Sequence, residues 1–534
     1  MANLDLSTVG LQDKAAWEAA DYELPKYDRA AVIAATKANP EWIHFGAGNI
    51  FKAFQCNVLQ KLINDGIMNT GVIAVERTKK GEDIHDGLVA AVTLKADGTV
   101  DKTVIGSIAE TVYLYGSEER MAEIFTAPSL KMASFTITEK GYAITDPKGD
   151  LLADVVADLE AGPAAAKTYM GKVTALLLAR YNAGELPVAM VSMDNCSHNG
   201  DKLYAAISTF AKTWSEKGLV PAGFAAYIEG EKVSFPWSMI DKITPSPDLT
   251  VGAILEEDGL HGFAPVRNAR GTVTAPFVNA EETEYLVIED NFPNGKLPLD
   301  KGGIYYTSRE TVDKVERMKV TTCLNPLHTT LAVYGCLLGY KRIFEEMKDP
   351  QLVKMIKTIG YKEGLPVVTD PGILDPKEFI DTVVNVRFPN PFMPDTPQRI
   401  ATDTSQKLGI RFGETIKAYI ASDTLDVSDL KLIPLVHAGW LRYLMAVNDA
   451  GEAFDPSPDP LLASAQAYVA DIKLGDAMTA DEAKAKLAGL LSNEKIFGVD
   501  LIACGIADKV CSYFVEEIAG PGAVRATLLK YVGE

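Results

Sequence analysis

The chain is 534 residues long, 47% apolar and 23% charged, more than one hydrophobic core usually serves, so two domains are expected. Its formal net charge of −20 argues against nucleic acid or an anionic membrane surface as a partner, because phosphate binding needs a concentrated positive field. No run reaches the roughly 18 apolar residues of a membrane span, no basic segment precedes an apolar run at the N-terminus, and Cys56, Cys196, Cys323, Cys336, Cys504 and Cys511 form no CxxC pair; a soluble cytoplasmic protein with reduced thiols is expected.

In chain order, the apolar, β-branched runs Trp42 to Phe45, Gly71 to Val75, Ser134 to Thr138 and Pro187 to Ser192 read as buried strands separated by amphipathic stretches. That alternation predicts α/β winding on a parallel sheet. The turn-rich stretch Asn291 to Gly303 reads as a connection between domains. Beyond it helical patterns dominate, over Leu327 to Met347, Leu461 to Ile472, Ala480 to Leu491 and Ile502 to Ala519.

Gly46 and Gly48 stand between the first strand and IFKAFQCNVLQKLINDG, whose apolar spacing and terminal Gly66 suit a helix with a glycine cap. A glycine turn at this junction lets backbone N–H groups and the helix N-terminus approach a pyrophosphate. Phe51 occupies the place of a third glycine in GxGxxG. Glu76 ends the next strand, where a carboxylate binds ribose hydroxyls and repels a 2′-phosphate. This favours NAD over NADP, a preference that Arg77, Lys79 and Lys80 soften. An ordinary tight turn and a solvated strand-end glutamate are the plainer readings. The expected architecture is a Rossmann-like, doubly wound dinucleotide-binding domain over 1–303 and a mostly α-helical domain over 304–534.

The Asn325-Pro326 step predicts a helix start, with Asn325 as N-cap and Pro326 at the first helical position. His328 then sits in the first turn, where the helix dipole disfavours imidazolium and leaves a neutral ring able to donate to a substrate oxygen. Lys319 lies upstream, where Val320, Thr321 and Thr322 favour extended backbone. A buried lysine with a pKa lowered to roughly 7 to 8 serves as general base in alcohol oxidation, while Asn325 and His328 hold the alkoxide-like oxygen. A capping asparagine, a core-edge histidine and a surface lysine are the alternatives.

Seven separated blocks carry a resemblance: FGAGNIFKAF, TITEKGY (Thr136 to Tyr142), SMDNCSHNG (Ser192 to Gly200), FPWSMIDKITP (Phe235 to Pro245), VIEDNFPNG (Val287 to Gly295), MKVTTCLNPLH (Met318 to His328) and NPFMPDTPQRIATDTSQK (Asn390 to Lys407). From about Trp42 to Lys407 the chain resembles the mannitol dehydrogenase family of polyol-specific long-chain dehydrogenases. The resemblance implies a zinc-independent, NAD-dependent secondary-alcohol dehydrogenase. Lys319 is then the base, with Asn325 and His328 as its oxyanion-holding partners. Asn195, Asp241, Arg399 and Lys407 line the substrate site, and Gly46, Gly48, Asn49, Ile50, Phe51, Glu76 and Arg77 hold the cofactor. Glu316 and Glu139 are the candidates for passing protons to solvent. The family usually has four residues between the lysine and the asparagine, whereas five separate Lys319 from Asn325, so a bulge or a shifted helix start is required.

Two cations in an acidic protein suit an anionic or polyhydroxylated ligand. The wording of GAGNIFKAF and NPLHT resembles the sugar-acid branch of the family, which implies D-mannonate interconverted with D-fructuronate. Mannitol, or another polyol or hexonate of the tagaturonate and altronate kind, is the alternative. Other chemistries fit poorly. The only Tyr-x-x-x-Lys spacing, Tyr22 to Lys26, contains Pro25, and the histidines His44, His85, His198, His261, His328 and His437 form no HxxxH pair, so no metal is expected and His198 near Cys196 reads as part of a turn. A catalytically inactive nucleotide-binding regulator is the alternative from another class, prompted by the lysine spacing. A monomer or small homo-oligomer is expected.

Overall fold

The central strands of the first half are buried on both faces. The computed structural model, which describes residues 3–79, 83–267 and 273–533, places β1 (Trp42–Phe45), β2 (Val72–Glu76), β3 (Ile108–Tyr113), β4 (Met132–Phe135), β5 (Val188–Ser192) and β6 (Val233–Ser234) in one sheet. The order is β3-β2-β1-β4-β5-β6 and every neighbouring pair is parallel. Ile43 and Phe45 pack with Ile73, Val75 and Phe135 on one face, and Trp42 with Val72, Ala74 and Met132 on the other. Double burial is why these strands read as continuous apolar runs. The order reverses its direction of growth between β1 and β4, which opens a crevice beyond the carboxyl ends of the strands. The expected strand over Ser134 to Thr138 instead ends at Phe135, because Thr138 takes a φ of 65°, outside the range a strand allows.

Among the described residues three smaller sheets, which the sequence reading did not anticipate, join Tyr22–Glu23, Val100–Ile105, Val89–Leu94 and Phe277–Glu281; Ser238–Asp241, Tyr285–Glu289 and Tyr305–Thr307; and Val266–Arg267 with Val273–Thr274. Helices used below are α1 (Cys56–Asn64), α2 (Arg309–Met318), α3 (Asn325–Leu338) and α4 (Leu432–Leu444). The chain divides into two compact units, Met1–Lys95 with Thr99–Asp313, and Ala96–Gly98 with Lys314–Glu534. The turn-rich stretch at 291–303 lies inside the first of these, and Leu297 and Leu299, each 1% exposed, anchor it in that unit's core.

The second unit is built around α4, all of whose 13 residues are buried, as an all-round apolar helix must be. Glu363 receives its N-terminus, accepting the N–H groups of Lys431, Leu432 and Ile433 at 2.7–2.8 Å. The expected helix at Ala480–Leu491 is present. The one expected over Leu327 to Met347 ends at Leu338, where Gly339 takes a φ of 81° and supplies a left-handed cap. Leu461 to Ile472 is helical only over Leu462–Gln466, since tight turns follow at Tyr468 and Val469. The last shortens to Ala507–Glu517, preceded by Gly505 at a φ of 84°.

Four π turns, Lys319–Cys323, Ile359–Gly364, Val383–Arg387 and Gly409–Gly413, are described in this unit. Such turns recur at functional sites. Here Lys319 and Glu363 are each 5% exposed and Arg387 4%, and the fourth turn carries Arg411. Among the described residues no helix is long and apolar enough to cross a membrane.

His44 and His437 are completely buried, and burial pushes both down to about 3 from an ordinary 6.5. Unfolding lets each ring take a proton near its ordinary pKa. The stability each contributes is therefore complete above 6.5 and is lost as pH falls toward about 3, at a rate approaching about 1.4 kcal/mol per pH unit. Urea unfolding of the wild type and of His437→Leu at pH 7, 6 and 5 should show a shallower acid loss in the variant; parallel curves would contradict this.

Candidate active site

The nucleotide turn is shaped by what glycine lacks. Gly46 follows β1 at a φ of 96° and a Cβ there would lie 2.1 Å from the Thr136 carbonyl oxygen, so no side chain fits where the β1 and β4 loops meet. A Cβ on Gly48 would meet nothing nearer than 3.9 Å. Its glycine answers to no neighbour inside the protein and leaves the backbone open to a ligand, the cradle a pyrophosphate needs. The helix starts at Asn49 and passes through a π turn at Phe51–Gln55 into α1. Phe51, at the place of the third glycine, stacks on the His44 ring at 3.9 Å and 2°. That ring is held by Ser134 Oγ at 2.7 Å and Thr136 Oγ1 at 2.8 Å. Helix and strand are thus joined by stacked rings where a glycine would have let them touch directly.

Gly46, Gly48, Glu76 and Arg77 line a cavity of about 600 Å³, together with Tyr115 and Thr136. Arg77 and Lys172 lie against the Tyr115 ring at 5.6 and 5.1 Å. Asn49 and Glu76 line an adjoining cavity of about 280 Å³ with Lys52 and His85. Ile50 and Phe51 belong to the core behind the turn. Lys79 is exposed, and Lys80 lies outside the described residues.

Other expected site residues of this unit separate into distinct environments. Asp194 ties the end of β5 to the β4 loop, accepting the N–H groups of Ile137 and Thr138 at 2.9 Å, and burial raises its pKa against the pull of these donors and of Tyr142. Asn195 is exposed in the turn that follows. Asp241 is 5% exposed at the end of its strand. Glu139 faces solvent and pairs with Lys202 at 2.9 Å. His198 stacks on Trp237 at 4.1 Å, so its place beside Cys196 serves a turn. Among the described residues no group of three or more metal-ligating side chains converges. Sequence reading passed over Asn199, whose buried amide bonds Ser192, Asp194 and Ser238 and fixes this loop.

In the second unit the extra residue between Lys319 and Asn325 is taken up by a π turn. Leu324 N–H donates to Lys319 O at 3.1 Å, so the segment is helical rather than extended as expected. Thr321 and Thr322 are buried at 7% and 3%, and the Thr321 hydroxyl bonds Arg317 O at 2.8 Å; packing and this bond override their preference for strand. Leu324, not Asn325, occupies the cap position of α3, with no side-chain cap bond. The shift by one residue places Asn325 in the first turn with its amide not committed to capping. Glu316 precedes Lys319 by three residues in the last turn of α2, on the same side of the helix.

The His328 side chain is 14% exposed and its Nε2 lies 3.4 Å from Asp395 Oδ2, without the alignment of a hydrogen bond. Burial first pushes its pKa down, to about 4; Asp395 opposes this, while Arg411, Arg387 and Arg399 lower it further. The ring is neutral at physiological pH. Arg399 is paired with Asp395, and Lys407 Nζ donates to Thr402 O, its pKa lowered first by burial and then by Arg411. Arg411 Nη1 donates to Thr329 Oγ1, on the residue after His328. Thus His328, Arg399, Lys407 and Arg411 form one cationic neighbourhood. Arg387 and Arg411 belong to no block read from the sequence; a helical arginine carries no local mark of burial.

The class these features define is an oxidoreductase with a dinucleotide fold. The family pattern described as the mannitol dehydrogenase Rossmann domain matches residues 40–301, and that of the mannitol dehydrogenase C-terminal domain matches residues 311–517. A D-mannonate oxidoreductase of Thermotoga maritima is 49% identical over 98% of this chain and 98% of its own. Pseudomonas fluorescens mannitol 2-dehydrogenase, solved as a ternary complex with NAD and D-mannitol, is similar at 26% identity and a TM-score of 0.65 over 99% of both chains. A D-sorbitol dehydrogenase in substrate-free form shares the fold, with a TM-score of 0.72 at 24% identity over 92% of this chain and 97% of that one. The chain belongs to the mannitol dehydrogenase family.

Proposed function

We propose that the protein interconverts D-mannonate and D-fructuronate with NAD. The observation that carries the mechanism is a lysine 5% exposed on a π turn that leads into a helix whose first turn holds Asn325 and a neutral His328. The substrate is supported by near-full-length similarity to the Thermotoga maritima relative, and the cofactor by the ternary complex of the Pseudomonas fluorescens one.

NAD, when bound, supplies the acceptor for the hydride that leaves the carbinol carbon. Lys319, as the neutral amine, takes the hydroxyl proton as that C–H bond breaks. Asn325 and His328 donate hydrogen bonds to the oxygen while it carries negative charge. Glu316 passes the proton from Lys319 toward solvent. Gly46 and Gly48 admit the pyrophosphate to the backbone and the helix N-terminus, and Glu76 binds the adenosine ribose.

Initial rates of NAD reduction with D-mannonate and D-mannitol at matched concentrations, each repeated with NADP, test this. Roughly a 10- to 100-fold preference for the acid is expected from one charge-assisted contact, with NAD ahead of NADP. Preference for mannitol would end the substrate assignment and leave the lysine mechanism; no turnover of these or other hexonates would end both.

A further inference from the structure

His328 feels three guanidinium groups, Arg387, Arg399 and Arg411, and Lys407 stands beside two of them; Arg399 and Lys407 are already committed. Arg399 is paired with Asp395 and its side chain is 60% exposed. Lys407 spends a proton on a backbone carbonyl. Arg411 differs. Its one hydrogen bond is to the hydroxyl of Thr329, itself 2% exposed, and among the described residues no carboxylate pairs with it. Burial pushes its pKa down to about 10, with no acidic group opposing. Arg411 is only partly exposed; a guanidinium drawn partly out of water without a counterion is unfavourable, and it gains from an anion that meets its remaining donors in a bidentate fork.

The backbone beneath Arg411 is held rigidly. A Cβ on Gly413 would lie 2.2 Å from Phe497 O, and one on Gly409 would lie 3.1 Å from Gly498 N, so the π turn is pressed against Phe497 and Gly498. The side chain therefore leaves a fixed root, and a positioned donor loses little entropy on binding.

We infer that Arg411 binds the substrate carboxylate and sets the preference for sugar acids over neutral polyols. This rests on the sugar-acid reading above. In that substrate the carboxylate stands at the opposite end of the carbon chain from the reacting carbon, so its anchor belongs in the same neighbourhood as His328 but apart from the oxyanion-holding pair. Arg399 and Lys407 are left to the hydroxyl groups.

The test compares wild type, Arg411→Gln and Arg411→Lys for kcat and KM with D-mannonate, for inhibition by D-mannitol, and for NADH binding by fluorescence. For Arg411→Gln we expect KM for D-mannonate to rise roughly 10- to 100-fold, with D-mannitol inhibition and NADH affinity unchanged. Arg411→Lys should fall between, keeping charge without the fork, and it carries the test if the glutamine variant does not fold. An unchanged KM, or an equal loss of D-mannonate, D-mannitol and NADH binding, overturns the assignment. Wild type that prefers D-mannitol overturns the sugar-acid reading and this inference with it, whereas a wild-type preference for the acid that survives in both variants overturns Arg411 alone.

Discussion

Lys319→Ala is expected to lower kcat for D-mannonate oxidation by roughly 10²- to 10⁴-fold while NADH still binds. The amine is the only group of the proposed mechanism that accepts the substrate proton, and its removal leaves Asn325 and His328 to stabilise an oxygen that has nowhere to release its hydrogen. The nucleotide turn belongs to the other compact unit, so NADH affinity reports on the cofactor site separately from the loss of the amine. Lys319→Arg should be as inactive as the alanine variant, because a guanidinium does not deprotonate in proteins. Single-turnover hydride transfer with each variant, read by NADH absorbance, decides the matter. Activity within a few-fold of wild type would place the base elsewhere.

Gly46→Ala is expected to abolish NADH binding and to destabilise the first unit by about 3 kcal/mol or more. A φ of 96° already disfavours any side chain, and the added carbon would stand 2.1 Å from the Thr136 carbonyl, which is backbone and does not swing away. Gly48→Ala makes the informative contrast, since its Cβ enters open space. That variant should keep its unfolding midpoint and lose cofactor affinity alone. Thermal unfolding and NADH titration of the pair separate a glycine needed by the fold from one needed by the ligand, and equal stability in the two variants would contradict the steric argument.

Much of the first unit was legible because its signals are local. A continuous apolar run marks a strand buried on both faces, and a glycine turn followed by an amphipathic helix marks the switch point. Glu76 stands at the end of β2, where the strand pattern places it. The smaller sheets were harder. Val89–Leu94 and Val100–Ile105 pair with each other as a hairpin, but the sheet is completed by Phe277–Glu281 and Tyr22–Glu23 from far along the chain, which no local pattern names. In the second unit, Lys319 is singled out by resemblance alone, and its backbone differs from the expectation because Val320, Thr321 and Thr322 favour strands when exposed and are helical here by tertiary packing. Arg411 lies four residues beyond Lys407, just past the last recognised block. Only its partial burial and its bond to Thr329 distinguish it from a surface arginine.

The π turn at Lys319–Cys323 also bears on how such an enzyme changes over generations. A residue added within a regular α-helix rotates everything beyond it by about 100°, whereas a π turn takes up the extra residue as a local widening and leaves the turns on either side in register. Insertion or loss of a single codon at this place is therefore absorbed where it falls, and the helix that carries Asn325 and His328 keeps its face. Chain length can then vary by one residue at this turn with no change in the residues proposed to act, which makes it a point of tolerance along the chain.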